Sequence, residues 1–296
     1  MEKVTSLQVA ERAGVSQSAV SRVFTPGASA SAKTVEKVRK AAQELGYRPN
    51  MMARAMITGK SRIIALVVAY LDNQFYPHGI ITASVAMTND LTDRCNAAGI
   101  PVVMFNRGQD GADVSSVTSA NVKGGREAGQ FLLDCGHKTI AHISGWQGSS
   151  TGRDRQKGFC DALLQAGMMP QLIDVMYNRE TAVEATETLM AGPNPPDAIF
   201  VGNDHMAFAV MDTLRGKLGL RVPEDVAVIG YDDVPLAAWA AYDLTTMRQP
   251  LNRMVDATVE ALLTRIDDPT SPTRHIEIAS PLIARGSTRP RKGSRA

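Results

Sequence analysis

Apolar positions in the first fifty residues recur at helical spacing in three short bursts, each set off by a capping residue or a glycine. Thr5 followed by Gln8 makes a capping box, and the helix it opens runs to about Ala13. Gly14-Val15-Ser16 ends it, with Gly14 free to take a positive φ. Ser16 caps a second helix over Gln17–Val23, whose inward residues are Ala19, Val20 and Val23, and Pro26-Gly27 breaks that helix. Ser31 caps a third, with Val35, Val38, Ala42 and Leu45 on one face and Gly46 at its end.

From Ile63 onward, apolar runs alternate with amphipathic stretches, which predicts a parallel α/β body. Strands are expected at Ile63–Ala69, Ile80–Ala83, Val102–Phe105, Ile140–Ser144, Ala198–Val201 and Val226–Tyr231. Helices are expected near Thr88–Ala98, Lys123–Cys135, Arg153–Ala166, Glu180–Met190, Asp204–Lys217 and Leu251–Arg265. In the last, Leu251, Met254, Val255, Val259, Leu262, Leu263 and Ile266 form one stripe, expected to pack in the core. Only about ten residues separate the first two strands. A parallel crossover needs a dozen or more with its helix.

Charge divides the chain further. Residues 1–60 hold ten Lys or Arg against four acids, a net +6, while the remaining 236 hold 22 against 26, a net −4. A basic module on a mildly acidic body points to a polyanionic partner for the module alone. The closing Arg289-Pro-Arg-Lys-Gly-Ser-Arg295 is read as a basic, disordered tail. At 296 residues and 44% apolar, the chain suits two or three folded units and excludes wholesale disorder. No 18-residue uncharged apolar run could cross a bilayer, and charges scattered over Met1–Arg12 leave no room for a secretory signal. The expected location is the cytoplasm, with no membrane partner. Cys95, Cys135 and Cys160 lack CxxC spacing, and the five histidines show neither metal spacing nor a nucleophile partner. His137 is expected at a helix end, where a cation suits the dipole. Gly59-Lys60-Ser61 fails as a P-loop because Arg54 stands where glycine is required, and Gly124-Gly-Arg-Glu-Ala-Gly129 lacks GxGxxG spacing. No catalytic residue, metal or cofactor is assigned, and the chain is not expected to be an enzyme.

Two short helices joined by a glycine turn and backed by a third make a helix-turn-helix. Ala10 is small enough for close packing and Val15 plugs the turn, while Gln17, Ser18, Ser21 and Arg22 point outward with groups able to bond base edges or phosphates. The run Thr5-Ser-Leu-Gln-Val-Ala-Glu-Arg-Ala-Gly-Val-Ser-Gln-Ser-Ala-Val-Ser-Arg-Val-Phe24, followed by Val38-Arg-Lys-Ala-Ala-Gln-Glu-Leu-Gly-Tyr-Arg-Pro-Asn50, resembles the DNA-binding region of the LacI/GalR repressor family. The resemblance implies a helix-turn-helix head over 1–49, a hinge over 50–61, an effector-binding and dimerisation domain over 62–288 and a tail over 289–296. It also implies a two-lobed, periplasmic-binding-protein-like body of Rossmann-like lobes, and a homodimer on double-stranded operator DNA. Gln17, Ser18 and Arg22 would read bases, with Thr5, Ser16, Ser21 and Lys33 as phosphate contacts. In the hinge, Asn50 would cap, Ala53 would pack against its partner, and Met56 would take the place of the apolar wedge that enters the minor groove.

The same resemblance places an effector between the lobes. Asp72-Asn-Gln-Phe-Tyr-Pro77 looks like the family's Asn-Pro-Phe-Phe loop, so Phe75 and Tyr76 would face the ligand. Asn106, Arg155, Tyr177, Asn203 and Asp232 match its other contact positions, while Asp233 is expected to cap a turn. Amides, carboxylates and one arginine around aromatic faces suit a sugar or a related polyhydroxy or acidic metabolite. The chain departs from the family after Pro77, where a helix, an edge strand and a second helix are missing, so the N-terminal lobe is shortened near 77–79. That loss should bare apolar surface, and the first missing helix would also have served the dimer interface. It leaves open an effector-binding protein without regulatory DNA function, or an inactive deletion remnant of a regulator.

Overall fold

A computed structural model describes residues 4–24, 29–45, 47, 64–67, 79–83 and 89–289. They divide into two units, Met1–Ile63 and Ile64–Ala296. Asn50, Ala53 and Met56 of the expected hinge, and Phe75 and Tyr76 of the expected effector loop, lie outside the described residues.

The first unit contains α1 (Ser6–Ala13), α2 (Gln17–Val23) and α3 (Ala32–Leu45). The capping box forms as its residues demand, with the Gln8 amide donating to Thr5 Oγ1 and the Thr5 amide donating to Gln8 Oε1 at 2.8 Å. Gly14 sits at φ 66°, the left-handed conformation that lets the chain turn sharply out of α1. Ser16 Oγ accepts the Ala19 amide to start α2, and Ser31 Oγ accepts the Thr34 amide to start α3. Val9, Ala10, Ala13, Val20, Val38, Ala41 and Ala42 bury one small core, with Val15 packed against it at the turn.

The second unit runs β1 (Ile64–Val67), β2 (Gly79–Ala83), α4 (Asn89–Ala97), β3 (Val102–Phe105), β4 (Ser115–Ser119), α5 (Asn121–Asp134), β5 (Ile140–Ser144), α6 (Ser150–Gln165), β6 (Gln171–Asp174), α7 (Arg179–Ala191), β7 (Ala198–Val201), α8 (Asp204–Asp212), β8 (Ala227–Asp232), β9 (Thr245–Arg248), α9 (Leu251–Asp267), β10 (His275–Ile278) and β11 (Leu282–Ile283). A π-helical turn, Thr213–Lys217, continues α8. The strands build two sheets, hence two lobes: β1-β2-β3-β4-β10, all parallel, and β11-β9-β8-β7-β5-β6, parallel except where β11 meets β9. In the second sheet the chain steps from β5 outward to β6 and then returns across β5 to β7. The carboxyl ends of β5 and β7 therefore flank a topological switch point, the place where open α/β sheets bind ligands. In the first sheet β1 and β2 are adjacent and parallel although only residues 68–78 connect them, which matches the shortening read in the sequence.

Every strand expected from the apolar pattern is present, and five more are found among the described residues. The Ser-Ser-Val-Thr-Ser of β4 is polar yet largely buried between neighbours, so apolar patterning could not reveal it. The stripe on α9 corrects an expectation. Its core face is Met254, Thr258, Ala261 and Leu262, whereas Leu251, Val255, Val259 and Leu263 are 58%, 44%, 38% and 45% exposed. The helix covers β2, β3, β4 and β10, and this apolar flank extends beyond what the sheet beneath it can bury. His137 stands just past the end of α5, as expected, its amide donating to the Leu132 carbonyl at 3.2 Å; its ring is buried, with Nδ1 3.3 Å from the Asp197 carboxylate.

Candidate functional site

A cavity of about 200 Å³ opens at the switch point of the second sheet, and its walls gather Asn106, Arg155, Tyr177, Asn203 and Asp232, all five described residues of the expected effector set. Each comes from just beyond a strand or from the start of a helix. Asn106 follows β3, Tyr177 follows β6, Asn203 precedes α8, Asp232 ends β8, and Arg155 stands in the second turn of α6. Three of them hold positive φ, Asn106 at 59°, Tyr177 at 60° and Asp232 at 127°. Non-glycine residues occupy that region rarely, and such strain collects at functional sites.

Arg155 is the most constrained. α5 and α6 approach so closely that a Cβ on Gly125 would strike the Arg155 backbone, and one on Gly158 the backbone of Val122. This packing aims a nearly buried guanidinium at the switch point. Nε donates to Asn121 Oδ1 at 2.9 Å, Nη1 donates to the Gly202 carbonyl at 2.6 Å, Nη2 lies 3.6 Å from Asp232 Oδ1, and the plane sits 3.6 Å from the Tyr231 ring centre. Asp232 accepts from Gln249 Nε2 at 2.5 Å; burial pushes its pKa up, while Arg155 opposes that shift. Asn203 spends its Oδ1 on capping α8 through the Met206 amide, 2.9 Å away. The Tyr177 hydroxyl lies 3.3 Å from Thr151 Oγ1.

Three lining residues escaped the sequence reading: Arg107, Thr151 and Gln249. Arg107 follows Asn106 directly and could have been found from that adjacency; Gln249 follows directly on the unrecognised strand β9. The cavity thus carries two arginines rather than one. Asp233 does not cap a turn as expected. Its carboxylate binds Arg248 Nε at 2.5 Å and Arg285 Nη2 at 2.6 Å, away from the cavity walls.

On the head, Thr5, Ser16, Gln17, Ser18, Ser21, Arg22 and Lys33 are all exposed. Gln17 Nε2 donates to Ser6 Oγ at 2.9 Å, and the Ser16 and Ser18 hydroxyls are 3.0 Å apart, so the start of α2 presents a connected polar surface. Among the described residues no helix is long and apolar enough to cross a membrane.

Comparison with known proteins gives two family matches. The model for bacterial regulatory proteins of the lacI family matches residues 7–50, and that for a periplasmic binding protein-like domain matches residues 129–288. The HTH-type transcriptional regulator CelR of Thermobifida fusca is 32% identical over 330 aligned positions, covering 94% of this chain and 96% of CelR. The probable HTH-type transcriptional repressor ExuR of Bacillus subtilis (strain 168) is 27% identical over 329 positions, covering 97% of this chain and 98% of ExuR. Since 97% of 296 residues is about 287, some 42 of those positions have no counterpart here. Among solved structures, the CelR–cellobiose complex is 29% identical with a TM-score of 0.69, over 97% of this chain and 100% of that one. The lac repressor dimer bound to operator and an anti-inducer shares the fold, at 24% identity and a TM-score of 0.83 over 97% of this chain and 100% of that one.

Proposed function

The chain belongs to the lacI family of bacterial regulatory proteins, DNA-binding transcriptional regulators controlled by small molecules, and from that premise we propose that it is a repressor acting as a cytoplasmic homodimer on a pseudo-palindromic operator. The division of labour is a head over 1–49, a hinge over 50–61, an effector and dimerisation domain over 62–288 and a basic tail over 289–296. Gln17, Ser18 and Arg22 read base edges in the major groove. Thr5, Ser16, Ser21 and Lys33 hold phosphates, and Asn50, Ala53 and Met56 act in the hinge. Phe75, Tyr76, Asn106, Arg155, Tyr177, Asn203 and Asp232 contact a sugar or a related polyhydroxy or acidic metabolite. Ligand binding changes the lobe arrangement and so the operator affinity. The chain is read as having no enzymatic activity.

The observation that carries this reading is the convergence of five separated polar residues on one cavity in a chain whose head matches the lacI model. The short connection between β1 and β2 keeps a second reading in play, a deletion remnant that binds ligand or DNA without coupling them. Light scattering on the purified chain, with and without a pool of randomised duplexes, separates the two. A dimer that enriches a palindromic site supports the regulator. A monomer or aggregate whose DNA binding is unselective and lost with salt means the head works and the regulator does not.

A further inference from the structure

Two guanidinium groups border the cavity, and they differ in how they are satisfied. Arg155 is spent on protein, through Asn121, the Gly202 carbonyl, Asp232 and the face of Tyr231. Arg107 is not. It is half-buried, and its guanidinium lies 5.8 Å from the Trp146 ring centre; among the described residues it makes no ion pair or hydrogen bond. Beside it, the Asn106 Oδ1 is buried and accepts no hydrogen bond. Among the described lining residues the one carboxylate, Asp232, is already committed to Gln249 and Arg155, so these residues carry two positive charges against one negative. A cation drawn partly out of water with only an aromatic face beside it and no ionic partner is costly, and an anion arriving there gains a charge-assisted bond. An orphaned amide oxygen next to it calls for a hydroxyl donor.

On the reading that this cavity holds the effector, we infer that the effector is an anionic polyol about the size of one sugar ring, whose carboxylate or phosphate pairs with Arg107 while an adjacent hydroxyl donates to Asn106. The volume argues for a single ring, since about 200 Å³ falls below the range typical of drug-sized ligands. The orientation follows from the charges. The acidic group goes to the Arg107 side, and neutral hydroxyls face Asp232, where a second anion would be repelled.

Calorimetric titration of the full chain tests this with D-glucose, D-galactose and D-mannose, their hexuronates and their 6-phosphates. At least one acid is expected to bind about tenfold or more tightly than its neutral parent, the size of a charge-assisted hydrogen bond. Whether the uronates or the phosphates lead identifies the anion. Arg107→Gln should bring the acid-to-neutral ratio close to one, while Arg107→Lys keeps most of the preference. Equal binding of acid and parent, no binding by any of the sugars, or an Arg107→Gln effect equal on both would overturn the inference. The regulator reading fails separately, if the randomised duplexes yield no selected site.

Discussion

At the scale of single residues, the cavity depends on groups whose neighbours leave them little freedom. Replacing Arg155 by methionine strips donors from Asn121 and the Gly202 carbonyl and leaves Asp232 without its countercharge. Breaking a fully buried pair costs about 3–5 kcal/mol. Asp232 retains some solvent contact, so a loss of about 2–4 kcal/mol in urea unfolding is the expectation, together with loss of ligand binding; a loss below about 1 kcal/mol would show that the network does little for stability. His142 makes a prediction about pH. It is fully buried, stacked on Phe200 at 4.6 Å, with Nδ1 2.9 Å from the Phe200 carbonyl, and burial pushes its pKa down from 6.5 to about 4. The folded state resists the proton that the unfolded chain accepts. The contribution of His142 to stability is therefore full above pH 6.5 and declines as the pH falls toward 4, by on the order of 3 kcal/mol. Denaturant titrations at pH 7 and pH 4.5 should show His142→Phe losing less stability on acidification than the parent chain. Of the cavity residues, those at strand ends within recognisable motifs were legible in the sequence. Arg107 was missed although it adjoins Asn106, because adjacency alone does not say that an arginine after a strand will lie half-buried without an ionic partner.

At the scale of elements, the glycines of α5 and α6 show how packing serves the site. Gly124, Gly125 and Gly129 looked like a failed nucleotide fingerprint, yet Gly125 and Gly158 let two helices meet backbone to backbone and so fix where Arg155 emerges. Gly158→Ala would press a methyl onto the Val122 carbonyl. Such overpacking costs about 1–3 kcal/mol, and it should weaken ligand binding by displacing Arg155; thermal melts with and without ligand would report both, and an unchanged melting point would refute the close approach. The head offers a cleaner case. Gly14 at φ 66° has nothing within reach of an added Cβ, so the cost of Gly14→Ala is purely conformational, about 1–2 kcal/mol, and a thermal melt of the variant reads it. The helix-turn-helix was legible because caps, glycine and apolar spacing are local. Strands β4, β6, β9, β10 and β11 were not, since their partners come from distant parts of the chain and their side chains are polar or half-exposed.

At the scale of the whole molecule, the shortened lobe sets the balance between folding and association. Leu262 and Ile266 of α9 rest against Gly79 at the start of β2, so the flank carrying Val255, Val259 and Leu263 lies toward the β1 edge of the same sheet. In a complete right-handed crossover between parallel strands, a helix packs back onto the sheet face. Residues 68–78 are too few to supply one with its turns, while the alignment with ExuR holds some 42 positions that have no counterpart in this chain. An amphipathic helix evolved to bury an arc wider than its sheet contact then keeps three aliphatic side chains in water, and contiguous exposed apolar surface promotes association. The combined variant Val255→Lys, Val259→Glu, Leu263→Lys separates this from ordinary burial. If the flank is solvated, each substitution should change monomer stability by no more than about 0.5 kcal/mol, and light scattering on heating should show later aggregation. If the triple variant instead unfolds several kcal/mol more easily, the flank is buried in the working protein and the lobe is better covered than its missing crossover implies.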